Sequence, residues 1–415
     1  MKIAIIGSGI SGLSAADHLA SNHDVTLFEA NEQIGGHADT HEIIVGNKHI
    51  AVDTGFIVFN PDNYPTFMEL LNKYQVEYKD SDMSFAVSNR LSGLEYNASS
   101  IDQLFCQRKN LLKPSFYRMV KDIFRFYKES PSLLDQDTEI SLGDYLQQNN
   151  YSPIFINEHI IPMTCALWSG DTKTIFDFPA KFLVAFMQNH QMMQAFDRPV
   201  WKTISGGSRQ YLKAIERNAE FVIRTNTPVK RIKRHKAGVE LELLETTEQF
   251  DKVIFACHSD QALRLLDTPT AEEQHVLGAI AYQENTICLH SDTAVLPKKC
   301  KAWASWNVII DESSSKQCTV SYYMNLLQSL ATDVPVIVSL NMQQKIDPNK
   351  IWKTITYHHP IYNKSTIRAQ QNKHLVQGKE HSYFCGAYWG WGFHEDGAIS
   401  GKQAALELEK DAQDA

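Results

Sequence analysis

The sequence predicts an α/β fold with a second, α+β domain inserted into it. Three observations carry this expectation: an apolar strand that runs into a glycine-rich turn and a helix at the amino terminus, a second glycine-rich bend opening a helix near the carboxyl terminus, and strand-like runs between them separated by long inserts. With 415 residues there is material for two or three folding units.

The first element, Lys2-Ile3-Ala4-Ile5-Ile6, alternates too little for a half-exposed strand and reads as a parallel strand buried on both faces. Its apolar run ends at once in a glycine turn with no small-residue cleavage site, so it is not read as a secretory signal. Gly7-Ser8-Gly9-Ile10-Ser11-Gly12 follows, then Leu13, Ala16 and Leu19 at helical spacing, then a second strand over Val25 to Glu29. The three glycines serve different geometric needs. Gly7 permits a tight turn, Gly9 lets the backbone approach a pyrophosphate, and Gly12 lets helix and sheet pack closely. The helix start, at Ile10 and Ser11, points unpaired N–H groups and partial positive charge at the phosphates. Glu29, with Ala30 beside it, lies 20 residues after Gly9, where a carboxylate accepts from ribose hydroxyls. Strand, motif, helix, strand and terminal acid in this order predict a Rossmann-like dinucleotide unit, and leave FAD and NAD both open.

Composition narrows the rest. Forty Lys and Arg against 48 Asp and Glu leave a formal charge of −8, which provides no field for gathering nucleic acid. Seven scattered cysteines without a C-x-x-C pair argue against a disulfide framework and against a zinc site, and suit a reducing cytosol. Two adjacent histidines, His358 and His359, do not share a face on a strand or helix, so no metal site is expected. No run of 18 apolar residues occurs, and no G-x-S-x-G elbow supports a hydrolase. The expected location is cytoplasmic, with a peripheral contact at the inner face of the membrane.

Beyond the second strand stand Gly35-Gly36-His37-Ala38 and Val52-Asp53-Thr54-Gly55. A glycine doublet at this place resembles the flavin amine oxidase superfamily, which includes protoporphyrinogen oxidase and phytoene desaturase. His37 stands where that group usually has Arg; it can reach a phosphate as a neutral donor, or be a loop histidine without a ligand. The doublet, Gly55-Phe56-Ile57-Val58-Phe59-Asn60, Ser81-Asp82-Met83-Ser84-Phe85 and the stretch from Phe384 to Gly397 also resemble the amino-terminal domain of plant cyclopropane fatty acid synthases and related bacterial NAD/FAD-binding proteins. The resemblance implies FAD as cofactor, with Thr54 and Gly55 near it and the backbone of Val229 against adenine.

At the carboxyl terminus, Ser382 to Gly386 is a short strand ending in glycine, and Ile399 to Leu408 reads as a helix. Between them lies an aromatic bend containing Tyr388, Trp389, Trp391 and Phe393. The resemblance places the isoalloxazine here, against Gly386 and the helix start at Glu395, Asp396, Gly397 and Ala398. Glu395 and Asp396 either cap the helix or touch flavin and substrate.

Strand-like runs at Thr227 to Ile232 and Phe250 to His258, and a glycine turn at Ser205-Gly206-Gly207, resemble further parts of the same domain. The expected FAD-binding domain is therefore discontinuous, residues 1–65, 195–262 and 370–415, with a substrate domain at 66–194 and 263–369. The first insert is helical and aromatic: Phe116, Val120, Phe124 and Tyr127 approximate one stripe, and Lys109, Lys113, Arg118, Lys121, Arg125 and Lys128 add local positive charge suited to a solvated flank or an anionic lipid surface. Phe176 to Met193 reads as core or as the wall of an acyl tunnel. The second insert is extended, with strands expected at 285–290, 318–323 and 334–340.

These features predict an FAD-dependent oxidoreductase that removes hydride from a C–H bond of a small or lipid-like substrate, with Tyr322, Trp168, His394 and Glu395 as candidates to orient substrate or move a proton. The run from Ala281 to Thr286 lacks the lysine that many amine oxidases carry in this region. An amine or polyamine oxidase is the first alternative. The second is an FAD-holding accessory subunit for a lipid-modifying methyltransferase.

Overall fold

The computed structural model describes residues 1–170, 172–194, 198–312 and 319–414. Five strands form a wholly parallel sheet in the order β14 (Ser382–Phe384), β8 (Lys252–Phe255), β1 (Lys2–Ile6), β2 (Asp24–Phe28), β7 (Val222–Arg224). In β1, Ile3 and Ile5 enter one apolar cluster while Ala4 and Ile6 enter another. That division is the physical reason for an unbroken apolar strand: both faces of the sheet are covered.

On one face, α1 (Ile10–Leu19) packs beside α8 (His394–Gln413). Their backbones nearly touch. A Cβ on Gly401 would lie 2.0 Å from the Ser11 carbonyl oxygen, one on Gly397 2.7 Å from Ile10 Cγ2, and Ser14 Oγ donates to the Ala398 carbonyl at 2.8 Å. The helix begins at His394, five residues before the start expected from hydropathy, because its first turns pack on α1 through Gly397 and Ala398 and carry no apolar stripe of large side chains.

A second sheet of seven strands has the order β13 (Ile351–Pro360), β9 (Tyr282–His290), β12 (Ile337–Leu340), β11 (Val320–Tyr323), β10 (Trp306–Ile310), β5 (Phe85–Asn89), β6 (Glu95–Asn97). It is antiparallel except where β10 runs parallel to β5. Cys318, counted in the expected 318–323 strand, lies outside the described residues. Helices α3 (Pro114–Glu129), α4 (Ile161–Trp168) and α5 (Ala180–Asn189) build the apolar core beside this sheet.

Two expectations change. The buried residues of α3 are Phe116, Met119, Asp122 and Phe126, while Phe124 is 51% exposed, so the expected stripe is out of phase. Asp122 occupies the buried face because its carboxylate accepts the Ser152 N–H at 2.9 Å, a demand that apolar spacing does not reveal. Helix α2 (Pro65–Lys73) is expected from sequence to open the substrate domain, but Phe67, Leu70 and Leu71 join the cluster that holds Ile5, Leu13 and Leu408.

Candidate functional site

The amino-terminal turn is a cradle built from two glycine loops. Gly7 has φ +107°, which excludes other residues, and its N–H donates to the Phe28 carbonyl at 2.8 Å. Gly9 differs: φ −62° and ψ 173° suit any residue, and a Cβ there would meet nothing within 4 Å. Its glycine serves the space in front of it. The second loop closes on the first, since Gly35 N–H donates to the Ser8 carbonyl at 3.1 Å and a Cβ on Gly36 would lie 3.3 Å from Gly9 Cα. Gly12 has no room at all, its Cβ position being 2.0 Å from the Gly7 carbonyl oxygen.

Glu29 is buried at the end of β2 and braces this turn. It accepts from Ser8 N–H (3.1 Å) and Oγ (2.6 Å) with one oxygen, and from Asn31 N–H and Nδ2 (both 2.9 Å) with the other. Ala30 is exposed beside it, and Thr227 N–H donates to the Glu29 carbonyl at 2.9 Å, which brings Val229 to the same end of the cradle.

Thr54 and Gly55 lie under His37. A Cβ on Gly55 would be 2.1 Å from the His37 carbonyl oxygen, and that oxygen accepts Phe56 N–H at 2.7 Å. Thr54 Oγ1 shares a 2.7 Å hydrogen bond with Tyr357 Oη, which donates to Asp39 at 2.9 Å. The His37 ring faces three others: Tyr357 at 5.1 Å, His359 at 5.4 Å and His258 at 6.0 Å between centroids. Sequence reasoning leaves His258 and His359 unassigned, and nothing in their spacing brings them to His37.

Asp53 is also passed over by sequence reasoning. Its buried carboxylate accepts from Thr40 Oγ1, Ser208 N–H and Oγ, and Gln328 Nε2, tying the start of α6 (Arg209–Asn218) to the hairpin of β3 (Thr40–Val45) and β4 (Lys48–Asp53). Burial pushes its pKa up to about 6 against the pull of these donors. A lone acid closing an apolar strand is the available signal.

At the carboxyl terminus, Gly386 N–H donates to Ser400 Oγ at 3.1 Å, while Gly397 and Ala398 lie buried in the seam against Ile10 and Ser11. The aromatic bend meets the inserted helices: Trp168 Nε1 donates to the Trp391 carbonyl at 3.0 Å, and Phe186 stacks on Phe393 with centroids 4.7 Å apart. Trp168 thus reaches the bend, as a wall residue. Phe178, Leu183, Phe186 and Met187 are buried core, whereas Phe182, Trp391 and Phe393 keep accessible surface.

The structure gives three of the expected chemical candidates contacts that the sequence does not reveal. Glu395 is buried with both oxygens on the first turn of α2, accepting Thr66 N–H at 2.8 Å and Phe67 N–H at 2.9 Å, so it caps that helix. Glu395→Ala is expected to cost about 1–2 kcal/mol of stability, read by denaturant unfolding, while the rate of flavin reduction stays as in the wild type; a lost reduction rate in folded protein would restore the chemical role. Tyr322 lies on β11 with its ring edge-on to Trp306 at 4.9 Å, packed against the insert's core. His394 stacks on Phe56 at 3.7 Å and shares a 3.2 Å hydrogen bond with Tyr211 through Nε2; burial pushes its pKa down to about 3, so the ring is neutral. Asp396 accepts Phe393 N–H at 2.9 Å, and burial holds its pKa up at about 7.

Fold and site together define a flavoprotein oxidoreductase class: a glycine cradle for a dinucleotide at one end of a parallel sheet, closed by a carboxy-terminal bend and helix. Residues 10–293, well over half of the chain, match the family described as flavin containing amine oxidoreductase, and the chain belongs to that family. It is 28% identical over 179 residues to a 4,4'-diapophytoene desaturase (4,4'-diaponeurosporene-forming) of Staphylococcus aureus (strain MRSA252), covering 39% of this chain and 35% of that protein. The same enzyme of Staphylococcus haemolyticus is 28% identical over 137 residues, 31% of this chain and 26% of the relative. The chain spans about a third of the length of the curated relatives it matches. Among solved structures, a CLA-producing fatty acid isomerase from P. acnes superposes with TM-score 0.71 at 15% identity, covering 97% of both chains. Cyclohexylamine oxidase from Brevibacterium oxydans IH-35A gives 0.69 at 14% identity, covering 99% of both.

The family's cofactor is FAD, and the residues present fit it. Gly9 offers open space where a backbone must meet phosphate, Gly36 closes the other side, and the buried Nε2 of His37 has no hydrogen-bond partner among the described residues. Among the described residues no helix is long and apolar enough to cross a membrane, and no group of three or more His, Cys, Asp or Glu is placed to hold a metal.

Proposed function

We propose that the protein is an FAD-dependent oxidoreductase that removes hydride from a carbon of an apolar, lipid-like substrate. The observation that carries this reading is the character of the carboxy-terminal bend. Its wall is Trp168, Phe182, Phe186, Trp391 and Phe393, and its two neighbouring acids are spent: Glu395 on the first turn of α2, Asp396 on Phe393 N–H. An ammonium group entering here finds no free carboxylate from that pair. The partial similarity to a diapophytoene desaturase supports the same direction.

The residues that would hold FAD are the turn from Gly7 to Gly12, Glu29, Gly35 to His37, Thr54, Gly55 and the start of α8. When bound, the cofactor accepts a hydride from a substrate C–H bond. The chain's own part is positional. Glu29 and Asn31 set the turn, the α1–α8 seam fixes the two helix starts side by side, and the aromatic wall excludes water from the reacting carbon.

A peripheral membrane contact belongs to this proposal. Leu112 and Ile101 are 87% and 80% exposed, with Arg108 and Lys109 also exposed near them, which suits an anionic lipid surface.

The test is anaerobic mixing of the yellow protein with an unsaturated fatty acid, phospholipid vesicles and an isoprenoid hydrocarbon on one side, and cyclohexylamine and putrescine on the other. Bleaching of the flavin by a lipid is expected. Bleaching by amines alone would give the site to amine oxidation. A flavin that none of them reduces, in a chain that captures a methyltransferase, would make it an accessory subunit.

A further inference from the structure

The ring cluster behind the glycine doublet has a chemistry that the FAD site does not by itself require. His37, His258 and His359 converge from three separated stretches, and His37 is the residue next to Gly36, which closes on Gly9. A pyrophosphate diester in the cradle brings two negative charges beside these rings. The groups facing His37 supply no lysine or arginine directly. From its own loop comes Asp39, engaged by His41 and Tyr357 and influenced by Arg209; from β13 come Tyr357, His358 and His359; from the start of α7 (Ser259–Leu265) comes His258, influenced by Asp260 and Arg264; and His394 lies on the far side.

The three rings are not equivalent. Asn341 Nδ2 donates to Asn285 Oδ1 at 2.8 Å, which leaves the Asn285 amide to donate to His359 Nδ1, also at 2.8 Å. His359 is thereby held as the neutral tautomer with its proton on Nε2. His258 stacks face to face on Tyr282 at 4.5 Å. Of the three, His37 alone has a buried ring nitrogen, Nε2, without a partner among the described residues. A neutral imidazole holds one proton on its two nitrogens, so with Nε2 unpartnered this ring can take a second when an anion faces it.

We propose that His37 takes up a proton when the FAD pyrophosphate enters the cradle, so that cofactor binding is proton-coupled and tightens as pH falls. This rests on the FAD reading above. Without the cofactor, burial first and the neighbouring imidazoles second hold these rings neutral: His37 lies below the usual histidine value, His258 is pushed down to about 4 and His359 to about 3. Two phosphate charges at short range in a desolvated site favour the charged imidazolium and reverse that balance for the one ring whose buried nitrogen has no partner. Binding then carries one proton from solvent, and its affinity acquires a pH slope.

The experiment uses the full chain stripped of flavin and titrated with FAD between about pH 6 and about pH 8.5, reading flavin fluorescence, with calorimetry in two buffers of different ionisation enthalpy to count protons. The expected result is a Kd that weakens by up to roughly tenfold per pH unit across part of this range, with uptake of about one proton per FAD. His37→Arg, a permanent cation, is expected to bind tightly with a flat profile, and His37→Gln weakly with a flat profile. A wild-type Kd that stays constant with no proton uptake overturns the proposal and leaves the FAD site standing; this result needs no variant to fold. A chain that takes up no FAD at any pH overturns both.

Discussion

Gly9→Leu is expected to yield a folded, colourless protein. The backbone at Gly9 is in an ordinary extended conformation and a Cβ there would meet no atom within 4 Å, so the substitution strains neither the turn nor the packing of α1. What it fills is the open space at the turn, beside which Gly36 packs so closely that a Cβ on Gly36 would come within 3.3 Å of Gly9 Cα. A side chain here holds the phosphates away from the helix start and removes two or more charge-assisted N–H contacts of about 1.5–3 kcal/mol each. FAD affinity should fall by about a thousandfold or more, roughly 4 kcal/mol. Circular dichroism and the flavin content of the purified variant read the two halves of the expectation. A yellow variant of wild-type affinity would remove the cradle from the site.

Gly401→Val is expected to act through the opposite cause. Its Cβ would sit 2.0 Å from the Ser11 carbonyl oxygen and 3.1 Å from Ser11 Cα, both backbone atoms of a buried helix that cannot give way as a side chain can. Overpacking costs typically 1–3 kcal/mol where side chains yield; against backbone, about 3 kcal/mol or more is expected. Separating α1 from α8 also parts the two ends of the site, so flavin loss should accompany the fall in denaturation midpoint. A variant with unchanged midpoint would mean that the seam is looser than these distances indicate. The pair of substitutions separates a glycine kept for the ligand from one kept for the fold.

The contrast also explains what is legible in the sequence. The turn from Gly7 to Gly12 can be read because each position states a geometric demand within a few residues of its neighbours, and the parallel sheet buried on both faces follows from the apolar run of β1. The start of α8 cannot be read from hydropathy, because its first turn, His394 to Gly397, offers no apolar stripe until α1 is known to lie against Gly397. Glu395 is legible as a cap, but not as the cap of α2, a helix from the other end of the chain. The ring cluster of His37, His258, Tyr357 and His359 draws on separate stretches, so periodicity carries no trace of it. Asp122 similarly obscures the phase of α3, since a carboxylate buried for the Ser152 N–H and the Arg118 and Arg125 guanidinium groups breaks the apolar stripe that would otherwise announce the face.

The most direct test of the account is the electron density of FAD in crystals of the full chain. One continuous molecule is expected, its adenosine by Glu29 and Val229, its pyrophosphate between Gly9 and Gly36, and its ring system against the bend from Trp391 to Phe393. Density that ends at the pyrophosphate, or that lies away from either glycine loop, would contradict it.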